Sequence, residues 1–242
     1  MRKHLFTQWG LFPLLFASLL FATACTDPND DSESSKSKDG KIKGHEYVDL
    51  ALPSGLLWAT CNVGAEVPEA YGDYFAWGET EPKSDYGMWS NYKYCNDTEG
   101  NSFSKYVTNN EYGNVDNKTT LDSSDDAATA NWGSKWRMPT QEEWQELTDG
   151  SNCKWTWTTH GVFEGYQVTS VRNGKSIFLP AAGYRYDSRL SNAGSDGYYW
   201  SSSLYESRPY SAWYCSFNSS SHDADYANGR YYGKSVRPVA EP

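Results

Sequence analysis

The side chains that most often perform catalysis or bind metals are few and scattered in this sequence. After residue 24 the histidines are His45, His160 and His222, which are far apart in the chain. None has cysteines at the spacing of a zinc site, and no serine motif suggests a catalytic triad. The sequence also lacks the motifs GxGxxG and GxxxxGK[ST], which bind nucleotide phosphates. These observations predict no catalytic residue and no metal ligand.

The cysteines allow two interpretations. Cys25 directly follows the N-terminal leader, and the other four lie further on, at Cys61, Cys95, Cys153 and Cys215. In an exported protein, four cysteines permit disulfides with three possible pairings. No spacing favours one pairing, and isolated buried thiols are the alternative.

Two groups of acidic residues could take part in chemistry. The run Asp122-Ser-Ser-Asp-Asp126 offers carboxylates to Ca²⁺, but it lacks the D-x-[DN]-x-[DN]-G spacing of a calcium loop. A solvated loop or a helix cap is the alternative, so a structural Ca²⁺ is the one cofactor that the sequence leaves open. Asp223 and Asp225 could act as an acid–base pair, although a Ser/Asn-rich context favours solvated carboxylates.

The stretch from Tyr198 to Val239 is rich in Tyr, Ser, Asn and Asp. Tyr gives a large contact area at low entropic cost, and Ser and Asn give adaptable hydrogen bonds, as in binding surfaces. We therefore expect this stretch to bind a ligand. The residues expected on its exposed face are Tyr205, Arg208, Tyr210, Tyr214, Asn218, His222, Asp223, Asp225, Tyr226, Asn228, Arg230, Tyr231 and Tyr232.

The same stretch should contain a buried framework. We expect Trp200, Trp213, Phe217 and Val236 to pack inside. Arg137 and Arg237 are expected in buried ion pairs or in bonds to backbone carbonyls.

The N-terminus has the features of an export signal. Residues 1–24 combine Arg2 and Lys3 with a short apolar run and small residues before Cys25, which is typical of a secretory signal peptide. The small residues followed by Cys25 resemble a bacterial lipobox, which implies lipidation of Cys25. Ordinary cleavage, leaving a free thiol, is the alternative. Residues 25–44 are polar and lack apolar periodicity, so they are expected to form a flexible tether. The acidic cluster after Cys25 resembles a surface-export signal of Bacteroidetes-type lipoproteins, and a plain linker is the alternative.

Charge restricts the partners. The formal net charge is −10, whereas nucleic-acid binding needs a basic patch. We expect no nucleic-acid partner, and membrane attachment only through the N-terminal lipid, at the outer membrane and facing outward.

The elements that must position the binding stretch are short. Residues 45–242 are expected to form one domain, with a polar insertion near residues 80–130. Thr140 and Glu143 form a capping box that predicts a helix up to Gly150. Asn173-Gly174 predicts a hairpin turn between two strands.

Three motifs resemble known families. The strings YVDLALPSGLLWATCNVGA (residues 47–65) and YGDYFAWGE (residues 71–79) resemble the Fibrobacter succinogenes major paralogous domain family. The string WRMPTQEEW (residues 136–144) resembles a motif of the formylglycine-generating-enzyme branch of C-type-lectin-like folds. The resemblance implies an α+β, C-type-lectin-like domain with short twisted antiparallel strands, one or two short helices and long irregular loops. The formylglycine-generating relatives use a close cysteine pair, whereas Cys215 is alone in its region, so the resemblance does not extend to that activity.

The C-terminal pattern also resembles proteins that diversity-generating retroelements rewrite. Adenine-directed mutation of Asn codons cannot produce Gln, Glu, Lys, Met or Trp, and Asn218–Tyr232 contains none of these. A Ser/Tyr/Asn-rich stretch often lacks them by chance, which is the alternative.

Together these features predict a lipid-anchored, surface-displayed protein that recognises a protein or glycan ligand. The alternative is a structural or adhesion component of the cell envelope that assembles with copies of itself. An enzyme is the third and least favoured hypothesis. The sequence does not indicate an oligomeric state.

Overall fold

The computed structural model describes residues 40–242. Of these residues, 37% lie in strands or bridges and 11% in helices. The strands are, in chain order, β1 (Gly40–Ile42), β2 (His45–Asp49), β3 (Leu57–Ala59), β4 (Cys153–His160), β5 (Phe163–Ser170), β6 (Ser176–Pro180), β7 (Tyr184–Tyr186), β8 (Arg189–Ser191), β9 (Asp196–Leu204), β10 (Ser211–Asn218), β11 (Ser221–Gly229) and β12 (Val239–Ala240). The helices are α1 (Ala127–Trp132) and α2 (Gln141–Thr148), with single 3₁₀ turns at Trp89–Asn91, Asn110–Tyr112 and Ser123–Asp125.

The strands of this part of the chain form four small antiparallel sheets. Their orders are β1-β2-β3-β12, β11-β10-β9, β4-β5-β6 and β7-β8. None of these sheets closes on itself. The fold is therefore mainly β.

The α+β, C-type-lectin-like class expected from the motifs is wrong. The two α-helices have six and eight residues, too few to form a helical layer over a sheet. Most described residues outside the strands lie in turns and irregular segments. Strands prevail because the second half of the chain is rich in Tyr, Trp and Thr, which pack well on a pleated surface.

Local signals determine α2 and the β5–β6 hairpin. The Thr140 side chain accepts a hydrogen bond from the Glu143 amide, and the Glu143 carboxylate accepts one from the Thr140 amide at 2.8 Å. This reciprocal capping box satisfies amides that the helix itself leaves without partners, and it confirms the prediction. The predicted β5–β6 hairpin is also present, with Gly174 at φ +71° in its loop. The loop spans residues 171–175, so it is longer than the two-residue Asn-Gly turn.

Two aromatic-rich core clusters lie on opposite faces of the β9–β11 sheet. Ala212 and Tyr214 of β10 join a cluster that contains Trp77 and Trp136. Cys215 and Phe217 join a second cluster, which contains Trp58 and Trp144 with their rings 5.0 Å apart. Neighbouring side chains of one strand point to opposite faces, so β10 anchors both clusters and fixes the C-terminal stretch.

The buried guanidinium of Arg237 ties the C-terminal end to the N-terminal sheet. It donates to the carbonyl oxygens of Ala59, Thr60 and Phe178 at 2.9–3.1 Å and to Asn62 Oδ1 at 2.9 Å. Arg137 makes a bidentate pair with Glu143 at 2.7 Å. Arg237 thus has the buried, carbonyl-bonded role that the sequence predicts, whereas Arg137 forms the predicted ion pair but is only partly buried.

Two boundaries differ from expectation. Strand β1 lies within residues 25–44, assigned above to a tether, and pairs with β2. The segment near residues 80–130 supplies buried Tyr86, Tyr106 and Leu121 to the core, so it is not merely a polar insertion.

Candidate functional site

A cleft of about 430 Å³ lies between the C-terminal stretch and the segment 89–112. The C-terminal wall comes from the start of β10, the end of β11 and the turn after β11. The facing wall comes from the 3₁₀ turns at Trp89–Asn91 and Asn110–Tyr112 and from the irregular segment 99–101. The aromatic lining residues are Trp89, Tyr112, Tyr210, Tyr231 and Tyr232.

The aromatic rings of the cleft contact one another. The ring of Tyr231 lies 4.5 Å from that of Trp89, edge to face, and 4.6 Å from that of Tyr232, stacked. The rings of Tyr112 and Tyr210 are 5.5 Å apart. All five rings are partly buried, and contacts at these distances stabilise their orientations. The cleft therefore presents ring surfaces that are largely preformed.

Two glycines allow the rings to approach the backbone. A Cβ on Gly100, which has φ +78°, would lie 2.4 Å from Trp89 Nε1. A Cβ on Gly229 would lie 2.9 Å from the ring of Tyr231. A larger residue at Gly100 would therefore displace Trp89, and it would also strain the backbone.

The polar lining consists of Glu99, Asn101, Ser211 and Asn228. Amides and hydroxyls both donate and accept hydrogen bonds, whereas a carboxylate only accepts. Glu99 is the one charged residue among those lining the cleft, which includes no Lys or Arg. The cleft is thus weakly acidic and well supplied with hydrogen-bonding groups.

Asp97 holds the 99–101 segment in place. Its Oδ1 accepts hydrogen bonds from the amides of Glu99, Gly100 and Asn101 at 2.8–3.2 Å and from Cys95 Sγ at 3.3 Å. Desolvation opposes ionisation, but these donors outweigh it and lower the pKa of Asp97. The carboxylate therefore stays ionised at neutral pH and keeps this wall ordered.

Arg230 lies directly behind the cleft, with no exposed surface. Its Nη1 donates to the carbonyl oxygens of Lys105 and Tyr106 at 3.1 and 3.2 Å, and its guanidinium lies 4.2 Å from the ring centre of Phe103. Its Nε and Nη2 have no hydrogen-bond partner among the described residues. Cation–π contacts with Phe103, Trp77 and Tyr92 replace those bonds in part. Arg230 thereby joins the two walls from within.

Lys234 is buried in a cage of aromatic rings beside the cleft. Its Nζ lies 4.3–5.4 Å from five ring centres, those of Tyr184, Tyr198, Trp200, Tyr214 and Tyr232. Burial lowers the pKa of Lys234 from 10.5 to about 7. Tyr232 belongs both to this cage and to the cleft, so the two features adjoin.

The structure divides the thirteen residues proposed from the sequence. Four of them line the cleft, namely Tyr210, Asn228, Tyr231 and Tyr232. Tyr226 is exposed, at 48% of its surface, and its ring lies 5.8 Å from that of Tyr214. Tyr205 and Arg208 both lie in the connection between β9 and β10. The ring of Tyr205 packs there against that of Trp213.

Four others lie in or near the β10–β11 hairpin, outside the cleft lining. Asn218 Oδ1 accepts from the Ser220 amide in the turn. His222 stacks on Trp155 at 4.5 Å, and burial lowers its pKa. Asp225 accepts from Gln141 and Gln145 of α2 at 2.9 and 2.6 Å, and Asp223 is exposed.

The expected exposure of two residues is wrong. Tyr214 is 8% exposed and Arg230 is fully buried. Rings from segments more than 100 residues earlier surround Arg230, whereas rings of the neighbouring strands β9 and β11 cover Tyr214. Among the framework residues, burial of Trp200, Phe217 and Val236 is confirmed, whereas Trp213 is only partly buried.

The facing wall, with Trp89, Glu99, Asn101 and Tyr112, was not predicted from the sequence. A signal was present, since the supposed polar insertion contains an unusual number of aromatic residues for a solvated loop. Aromatic side chains are normally buried or used in contacts.

The acidic run takes part in ion pairs and caps. Asp125 accepts from Lys93, Lys105 and Tyr106. Desolvation opposes ionisation, but these donors hold the pKa of Asp125 well below its usual range. Asp126 caps α1 through the Thr129 amide at 3.0 Å. Within residues 40–242, no three His, Cys, Asp or Glu side chains are grouped so as to hold a metal ion.

Cys61, Cys95, Cys153 and Cys215 are free thiols. Burial raises the pKa of Cys215, which lies in the second core cluster. Cys25 and the signal peptide lie outside the described residues. No helix between residues 40 and 242 is long and apolar enough to cross a membrane.

Comparison with known proteins gives one match. A family model described as a domain of unknown function, DUF8237, matches residues 163–239. The matched segment runs from β5 to the beginning of β12 and includes the C-terminal wall of the cleft. No curated protein and no solved structure is similar to the chain.

Proposed function

We propose that this protein recognises a protein or glycan ligand in the cleft between the C-terminal stretch and segment 89–112. The observation that supports this most is the cleft lining, in which five aromatic rings alternate with amide, hydroxyl and carboxylate groups. Binding sites combine such ring surfaces with a few positioned polar groups. The rings are held by contacts with one another and by close packing on the backbone at Gly100 and Gly229, so ligand binding needs little ordering of the protein.

Display at the cell surface is part of the proposal. Lipidation of Cys25 would attach the chain to the outer membrane, and the segment before β1 would act as a spacer. Replacing Cys25 by Ser should release the protein from the membrane fraction of cells that express it. Retention of the variant in that fraction would contradict lipid anchoring.

A binding screen tests recognition. The purified full chain is applied to arrays of glycans and of host and phage proteins, alongside the Tyr231→Ala variant. We expect at least one ligand whose binding Tyr231→Ala weakens about tenfold, which is the loss expected for one aromatic contact. Tyr226→Ala is the matched control, because Tyr226 is exposed in the same stretch but lies outside the cleft lining.

Two results would contradict the proposal. In the first, every ligand found binds both variants as well as the unchanged chain. In the second, no ligand is found and sedimentation shows concentration-dependent self-association, which would support an assembly role in the cell envelope instead.

A further inference from the structure

The chemistry of the cleft lining restricts the class of ligand. Its half-buried rings offer electron-rich faces, and its amide and hydroxyl groups offer both donors and acceptors. A sugar ring has one face of weakly positive C–H groups and a rim of hydroxyls. These two surfaces match an aromatic wall with a polar edge.

Charge disfavours the acidic sugars. Glu99 is the one charged residue in the lining. The Arg230 guanidinium beside the cleft is buried and donates to backbone carbonyls, and Lys105 is paired with Asp122 and Asp125. An anionic ligand would thus meet a carboxylate and no cation among the lining residues, at a cost of like-charge repulsion.

Size and shape agree with part of a chain molecule. The cleft volume of about 430 Å³ lies in the lower half of the range of roughly 300–1,000 Å³ for small-molecule sites. A concave site of this size suits a few sugar units better than a flat protein epitope, which buries about 800 Å² on each partner.

We propose that the cleft binds a neutral oligosaccharide, with Trp89 and Tyr231 stacking on sugar rings and Asn101, Asn228 and Glu99 bonding their hydroxyls. This inference rests on the proposed function and specifies its ligand class. It involves no metal ion, because the ring faces and the side-chain amides supply the contacts.

Titration calorimetry of the purified full chain with defined hexasaccharides tests the inference. The neutral probes are cellohexaose, maltohexaose, mannohexaose, xylohexaose and N-acetylchitohexaose. The glucosamine hexamer is the cationic probe and hexagalacturonate the anionic probe. We expect one or more neutral probes to bind with a Kd below about 1 mM and hexagalacturonate not to bind.

Matched variants connect binding to the cleft. Trp89→Ala should weaken the neutral probe about tenfold or more, whereas Trp157→Ala, which removes a partly buried ring of β4, should not. Asn101→Ala should weaken binding severalfold without affecting folding, because Asn101 is exposed. Its control is Asn114→Ala, also exposed but outside the lining.

The outcomes separate this inference from the general proposal. If no neutral probe binds, or if Trp89→Ala and Asn101→Ala bind it unchanged, the carbohydrate inference is wrong. Binding of the glucosamine hexamer alone would also overturn it, in favour of a cationic ligand. The screen could instead yield a protein ligand that the Trp89→Ala variant no longer binds. That result would support recognition in the cleft and refute the carbohydrate inference. The general proposal fails only when no ligand of any class depends on the cleft.

Discussion

Replacing the caged lysine, Lys234, by Met should stabilise the protein in a strongly pH-dependent way. Met has a similar length and makes favourable contacts with aromatic rings, so the cage stays filled while the ionisable group is removed. Burial lowers the pKa of Lys234 from 10.5 to about 7. Below pH 7 the folded protein must hold the buried ammonium, at a cost of about 5 kcal/mol relative to water.

The direction of this pH dependence follows from proton binding. Between pH 7 and pH 10.5 the unfolded chain keeps the lysine protonated while the folded chain does not, so the free energy of unfolding rises with pH. At pH 9 the remaining cost is about 2 kcal/mol. The stability difference between Lys234→Met and the unchanged chain should therefore shrink by about 3 kcal/mol from pH 6 to pH 9.

Urea unfolding at a series of pH values, followed by tryptophan fluorescence, measures this difference. Subtracting the free energy of unfolding of one protein from that of the other cancels the contributions of groups that titrate alike in both. Burial raises the pKa of Tyr198 and Tyr214 in the cage, so neither ionises in this range. Lys154→Met, at an exposed position of β4, is the control and should show no such trend. A stability difference that stays constant from pH 6 to pH 9 would refute the assignment of Lys234 as a buried, desolvated amine.

Three other predictions concern the cleft wall, a helix cap and the gene. Gly100→Ala should displace Trp89, which changes the tryptophan emission, and lower the free energy of unfolding by about 1–3 kcal/mol. Gly150→Ala, where a Cβ meets nothing within 4 Å, is the control and should change neither. An unchanged emission spectrum of Gly100→Ala would contradict the tight contact. Thr140→Ala should cost about 1 kcal/mol in urea unfolding by removing the helix cap, and an unchanged midpoint would show that packing alone holds the helix. If the C-terminal stretch is diversified, DNA sequencing around the gene should find a reverse transcriptase and a near-copy of the region encoding Asn218–Tyr232 that differs only at adenines; the absence of both would exclude diversification.

Local structure was predictable because its causes are local. The capping box at Thr140 and the turn at Asn173-Gly174 depend on residues within one turn of the chain, and both are present in the structure. The carbonyl-bonded role of Arg237 was also predictable, since an arginine that is buried amid apolar neighbours must find hydrogen-bond partners. The ion pair of Arg137 was predictable too, but its partial exposure was not, because exposure depends on the surrounding packing.

The fold class was not predictable from short motifs. The motif WRMPTQEEW includes the capped start of α2 and suggested an α+β class by resemblance, yet α2 has only eight residues and packs as a single element against the sheets. Whether a short helix forms a layer depends on the number and pairing of the strands around it, which involve residues far apart in sequence.

The composition of the stretch from Tyr198 to Val239 shows that it is suited to contacts, because residue types set the available chemistry. Which of its side chains are accessible depends on packing between distant parts of the chain. Arg230 is buried because Trp77, Tyr92 and Phe103, more than 100 residues earlier in the chain, surround its guanidinium. Long-range packing likewise brought Trp89 against Tyr231 and so formed the cleft. Contacts between rings so far apart in the chain leave no periodic pattern in the sequence. The residues of a segment determine its local conformation, but they do not show which other segment packs against it.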